Sequence, residues 1–246
     1  MTARFYASVL LALSVLGSAL GGAGVHAASF HISPLLIEVP PGETIATYRL
    51  SNSSTREAAV QISGFRWSQK NGQDHLEPAE DLMIIPSITT LRAGQTQLVR
   101  VALRSSRPDR ELSYRVQFQE LPKQSSGGGI GIQTLIKMDV PLFFSPKQIT
   151  QKYQPSLHSS EGSPKIAVQI ANTGTSFLRF SRLALSDSIG KLLAEKEGLF
   201  YVLPGAVRTW SLDLGNINKG QRSNERYQLQ VDHGSKSNQH LLKIQQ

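Results

Sequence analysis

The chain of 246 residues contains no cysteine. That excludes a disulfide framework, a thiolate zinc site and a cysteine nucleophile. Core burial alone must hold such a chain together, and its length is enough for two domains of ordinary size. Helical periodicity is almost as scarce. Histidines are few and scattered: His31, His75, His158, His233 and His240 stand apart, none at metal-ligand spacing with another histidine or a carboxylate. No serine sits in a nucleophile elbow, and no close carboxylate pair suggests a general acid and base. "SSGGGIGIQ" lacks the lysine and serine or threonine of a phosphate-cradling loop, and a strand pattern rather than a helix follows it. These absences leave no candidate catalytic residue, no metal and no cofactor, and they argue against an enzyme.

Long hydrophobic runs are lacking except at the N-terminus, "MTARFYASVLLALSVLGSALGGAGVHAASF". Arg4 gives a positive start, Val9 to Leu20 an apolar stretch, and Val25 and Ala27 the small residues of a signal-peptidase site. The run is short for a membrane span of roughly 20 residues. Residues 1–27 read as a cleaved export signal, with no integral membrane segment after its removal. The formal net charge of +8 falls by one when Arg4 leaves. Basic charge can mark a nucleic-acid or anionic-surface partner. Here it is spread along the chain, with one cluster at "RSSRPDR", and no nucleic-acid-binding motif accompanies it. No nucleic-acid partner is expected.

What the chain does have is short alternating segments punctuated by Gly, Pro, Asn and Ser, the mark of an all-β protein. "FHISPLLIEVPPG" is a strand broken by prolines, suited to a sheet edge. In "AAVQISGFRWSQKNGQDHLEP" the apolar phase flips across Gly64, which predicts a bulge. Asn71-Gly72 predicts a tight hairpin. About seven strands fall in roughly 115 residues, the count of an immunoglobulin-like sandwich. A polar, proline-bearing connection follows from Ser145 to Lys165. The pattern then restarts: "IAVQIANTGTSFLRFSRLAL" echoes "ATYRLSNSSTREAAVQI", and "YVLPGAVRTWSLDL" echoes "TTLRAGQTQLVRVAL". The expectation is two β-sandwich domains in tandem, 28–147 and 148–246. "KLLAEKEG" reads as a hairpin arm.

"GGGIGIQTLIKMDVPLFF", 127–144, is the unusual stretch. Its apolar stripe, Ile130, Ile132, Ile136, Met138 and Val140 with Thr134 between, exceeds the ~5–6 residues usual for a strand. A half-strand leaving a glycine loop can project past its own sheet as a free edge, and such edges template pairing with another chain. Recognition by strand addition would take affinity from the backbone and specificity from the stripe.

The motifs "YRLSNSS", "FRWSQKNGQDHLEPAEDLMIIPSITTLRAGQTQLVRVAL", "YRVQFQELP" and "IKMDVPLFFSP" resemble those of the periplasmic pilus-assembly chaperones of the chaperone–usher pathway, the PapD-like family. The series Pro86, Leu91, Gly94, Gln97 and Arg100 is the most telling, and "IANTG" resembles the family's second Asn turn. The resemblance implies two immunoglobulin-like domains with a cleft between them, in the periplasm. It implies pilin subunits and an outer-membrane usher as partners. The stripe would be the strand donated to a pilin, through Ile130, Ile132 and Ile136 with Thr134 as a polar interruption. A cleft cation would hold the client's terminal carboxylate. The basic positions of the best-known branch align near Leu36 and Pro141 and are lost. The arginine of "YRV" instead resembles the archaic, spore-coat-U-type branch, which makes Arg115 the main anchor and Lys137 a second. Arg100 and Glu120 match an inter-domain ionic cluster. Self-association in the absence of client would cover the stripe. The alternative reading is a secreted two-domain adhesin or structural pilus component.

Overall fold

The computed structural model describes residues 30–105, 109–122, 134–159, 164–214, 226–233 and 236–245. Every regular element among them is a strand, and no described helix is long and apolar enough to cross a membrane. Two β-sandwich domains result.

The first domain packs two sheets face to face. One runs β1 (Phe30–Ser33), β3 (Ile45–Asn52), β8 (Thr96–Leu103), β6 (Leu82–Ile85). The other runs β2 (Ile37–Val39), β10 (Lys137–Phe144), β9 (Leu112–Glu120), β4 (Ala58–Lys70), β5 (Gln73–Pro78), with β7 (Ile88–Leu91) also paired to β4. Alternation dictates which side chains meet. Ala46, Tyr48 and Leu50 of β3 join Val99 and Val101 of β8 inside, against Val60, Ile62, Val116, Phe118, Val140 and Leu142 of the facing sheet. Tyr48 and Phe118 meet edge to face at 5.5 Å. The β4–β5 hairpin turns at Asn71 and Gly72, both with positive φ (52° and 71°), as the type I′ pattern requires.

The second domain orders its strands β14 (Leu192–Val202), β13 (Leu178–Ser186), β16 (Arg226–His233), β17 (Lys236–Gln245), β11 (Tyr153–Ser159), β12 (Lys165–Asn172), β15 (Val207–Asp213). A short parallel ladder between β11 and β17 joins its two antiparallel parts. "KLLAEKEG" does form a hairpin arm, the start of β14.

The echo in the sequence is a repeated structural clasp. Asn52 ends β3 and is 1% exposed; Asn172 ends β12 and is 2% exposed. The Asn52 amide donates to the carbonyls of Arg56 and Leu91, at 2.7 and 3.0 Å. Asn172 does the same with Ser176 and Val202, at 2.9 and 2.8 Å. Each side-chain oxygen accepts the backbone N–H two residues on. Each backbone pairs with a Gly-containing turn, Gly94-Gln95 in one domain and Gly205-Ala206 in the other. One polar side chain thus satisfies three backbone groups in each domain.

Two local expectations are corrected. Gly64 makes no bulge: β4 keeps register with β9 from Val60 through Arg66, with Gly64 opposite Val116. The phase flips because β4 changes the side it buries. Val60 and Ile62 face the first-domain core, whereas Trp67 turns outward into the packing of the second domain. The site is crowded, since a Cβ there would lie 2.9 Å from Leu82 Cδ1 and push that side-chain end aside. Secondly, β10 begins at Lys137, so the strand is shorter than its stripe. Thr134 to Ile136 are described but not in a strand, although Ile136 stays tied to Glu120 by backbone and side chain. Ile130 and Ile132 lie outside the described residues. The C-terminal part of the stripe, Val140 with Leu142 and Phe144, fills the domain's own core.

Candidate functional site

The outward face of the β2–β10–β9–β4–β5 sheet is apolar at one end, and there it meets the second domain. Phe143 of β10 stacks on Phe177, 3.9 Å between centroids and 11° apart. Trp67 of β4 packs edge to face on Tyr201 at 5.4 Å. Next along the sheet, Arg115 of β9 lies opposite Phe65 and Pro141. Its guanidinium carbon sits 3.8 Å from the Trp67 ring centroid and 5.5 Å from that of Tyr201. A planar cation with weak hydration suits this stacked position.

Beside it opens a cleft of about 370 Å³ between the domains. Arg115, Trp67, Asp74 and Asp139 line it from the first domain, Tyr201 and Arg208 from the second. Among the described residues no carboxylate comes within ion-pair distance of Arg115. Burial holds its pKa below the usual guanidinium value, opposed by the charges of Tyr201, Asp74 and Asp139. Both aspartates are engaged elsewhere: Asp139 accepts from Gln117 Nε2 and Asp74 from Arg208 Nη1, each at 2.9 Å. A half-buried arginine without its own counter-ion is suited to a bidentate carboxylate. No group of three or more potential metal ligands gathers anywhere among the described residues.

The cleft is held open by a firm junction. Gln69 of β4 donates to Tyr201 O at 3.1 Å and accepts from Leu203 N at 2.9 Å. Glu111, just before β9, is buried; its N–H donates to Thr175 O at 2.9 Å, and its carboxylate accepts from Ser176 Oγ at 2.7 Å and Phe177 N at 3.1 Å. The polar connection is fixed too, since Thr150 N donates to Thr175 Oγ1 at 2.9 Å.

Of the described residues expected from the sequence, Arg115 alone lines the cleft. Lys137 is exposed on the same face, opposite Gln119 and four residues up the strand from Pro141, a separation of about 14 Å at ~3.4 Å per residue. Arg100 is exposed on β8, opposite Thr47 and Ile85 in the other sheet. Glu120 is buried at the end of β9, where its carboxylate accepts from Ile136 N at 3.2 Å. The structure does not bring Arg100 and Glu120 together. Thr134 is exposed and Ile136 half-buried. Sequence reading missed Glu111, Asp74 and Arg208. Only the second-domain echo that contains Arg208 gave a signal, and it spoke of architecture.

Comparison with known proteins bears on the same face. Residues 29–150 match the N-terminal domain of the PapD-type pili and flagellar-assembly chaperones. The probable fimbrial chaperone EcpE of Escherichia coli K12 is 26% identical over 165 residues, which span 64% of this chain and 64% of that protein. The fold matches a chain of the CsuC–CsuE chaperone–tip adhesion subunit pre-assembly complex, from the archaic chaperone–usher Csu pili of Acinetobacter baumannii (TM-score 0.65, 21% identity, 89% of this chain and all of that one). It also matches a chain of the Salmonella enterica SafA pilin–SafB chaperone complex (TM-score 0.57, 20% identity, 87% and 96% covered). With the two-sandwich fold, the "YRV" arginine in the cleft and the matched first domain, the chain belongs to the PapD-like family of chaperone–usher pilus chaperones.

Proposed function

We propose that the protein is a periplasmic chaperone that receives a pilin subunit, completes its fold with a donated strand and passes it to an outer-membrane usher. Residues 1–27 serve as the export signal, 28–147 as the donating domain and 148–246 as the second wall of the cleft. The observation that carries this reading is the edge of β10. On the side away from β9, β2 pairs only with Leu142 to Phe144, so Lys137 to Pro141 face no strand among the described residues. That unpaired edge ends at Pro141, whose partner on the other side is Arg115 of β9. A client strand added there would end in the cleft, with its terminal carboxylate at Arg115 and its body passing Lys137. Ile130, Ile132 and Ile136 would supply the inserted side chains, with Thr134 between them. Each buried Ile contributes on the order of 1.5–3 kcal/mol to the contact. The arginine of "YRV" favours the archaic branch.

The test is co-expression, signal included, with the pilin-like exported protein encoded beside it in a Gram-negative periplasm. A one-to-one complex, with the client degraded when the chaperone is absent, is expected. Ile132→Asp abolishes client recovery and leaves the chaperone folded. Arg115→Ala loses client binding while the melting temperature holds. Normal client yield with Ile132→Asp refutes strand donation, and self-polymerisation with no effect on the client points to a structural pilus component.

A further inference from the structure

The free edge of β10 carries alternating charge. Lys137, Asp139 and Pro141 share its outward face, and Pro141 is paired across to Arg115 of β9. The order along the edge is therefore plus, minus, plus at two-residue spacing. Asp139 is exposed. Gln117, its partner on β9, donates from Nε2 to Asp139 Oδ1 at 2.9 Å and holds the carboxylate in place. No cation pairs with Asp139 among the described residues, and its second oxygen stays available. Backbone bonds alone do not fix where an added strand stops. A slip of one residue turns every side chain to the other face, but a slip of two keeps both the faces and the ladder. This edge opposes each two-residue slip. Forward, past Pro141, Leu142 to Phe144 are already paired with β2. Backward, the last residue of the added strand moves by about 7 Å, from Pro141 to Asp139. Its terminal carboxylate then lies beside a fixed carboxylate instead of beside Arg115.

We propose that Asp139 determines the register and the charge preference of the client strand: it repels a chain end placed opposite it and selects a cation at the third residue from the client's C-terminus. This rests on the reading of the β10 edge as the client's docking edge. The client strand passes Lys137 before it reaches Pro141, so it runs parallel to β10. With its last residue opposite Pro141, its third-last opposes Asp139 and its fifth-last opposes Lys137. A lysine or arginine third from the end meets the available oxygen of Asp139, and an aspartate or glutamate there meets like charge. Opposite charges facing each other across a strand pair stabilise it and like charges destabilise it, each by up to a few-fold in a binding constant.

The test uses the full mature chain and eight-residue alternating Thr–Val peptides with a free C-terminus, identical except for Lys, Gln or Glu at the third residue from the end. Binding is measured by titration calorimetry. The wild type is expected to bind the Lys form about fivefold more tightly than the Glu form, with the Gln form between them. Asp139→Asn keeps an acceptor for Gln117 and should level the three forms, and Asp139→Lys should reverse their order. Register is read separately by disulfide trapping, which the lack of native cysteine makes unambiguous. With Lys137→Cys, a peptide cysteine fifth from the end is expected to be trapped and one third from the end is not. Adding Asp139→Asn should allow both. Equal affinities for the three forms in the wild type, or an order that survives Asp139→Asn, overturns the proposal, and trapping of the fifth-position cysteine then leaves the docking edge standing. If no form binds and neither cysteine is trapped, the docking-edge reading falls and the proposal with it.

Discussion

Replacing Glu111 by Gln tests how the two domains are joined. Glu111 is 7% exposed, and Ser176 Oγ and Phe177 N donate to its carboxylate. Ser113 Oγ adds a long contact at 3.5 Å. Glu38 lies near enough to repel it, and no cation pairs with it among the described residues. Burial outweighs the donated bonds and pushes its pKa from 4.5 up to about 7. The folded chain therefore holds this proton more tightly than the unfolded chain does. Its stabilising effect is complete below about pH 4.5, fades as pH rises, and is gone above about 7. The displacement corresponds to about 3 kcal/mol across that window. Glutamine keeps the shape and an acceptor oxygen but does not titrate. Urea unfolding of wild type and Glu111→Gln at intervals from pH 5 to 8 isolates the effect, because every other group cancels in the difference. From pH 5 the wild type should lose about 2 kcal/mol relative to the variant by pH 7, and run parallel to it by about pH 8. A difference that stays constant from pH 5 to 8 refutes the reasoning.

Asn52→Ala and Asn172→Ala should each destabilise by about 2–3 kcal/mol in urea unfolding, since each removes two side-chain bonds to backbone carbonyls, buried at Leu91 and at Ser176 and Val202. Near-equal losses would reflect the shared clasp, and a loss under about 0.5 kcal/mol at either site would show that the turn re-satisfies itself. Gly174→Ala should lower the melting temperature far more than Gly64→Ala. A Cβ at 174 runs into the backbone carbonyl of Thr150, which is held in the junction, whereas at 64 it meets the movable Cδ1 of Leu82. Equal shifts in a thermal melt would refute that comparison.

Alternation made most of the strands legible, because a period of two is imposed wherever one face of a sheet is buried. The Asn-Gly hairpin and the Asn52 and Asn172 echo were readable for the same reason: few residues satisfy those turns. The bulge at Gly64 was misread because a phase flip has two causes. A strand can gain a residue, or it can leave one core and enter another, and only the second domain's position separates these. Arg115 was recognisable by resemblance, yet its stacking on Trp67 was not, since it joins β9 to β4 across a sheet. Arg208, Asp74 and Glu111 were invisible for a related reason. Their partners lie 134, 134 and 65 residues away in sequence, and no local pattern encodes such a meeting.

Trp67 and Phe143 are carried by the first domain and packed among the side chains of the second. The hydrophobic interior of the second sandwich is therefore finished by its neighbour. Severed from residues 30–144, the second domain would show water a socket shaped for two rings. The two sandwiches should accordingly melt in a single transition, and a chain emerging N-terminus first presents its aromatic template before the strands that close over it have arrived.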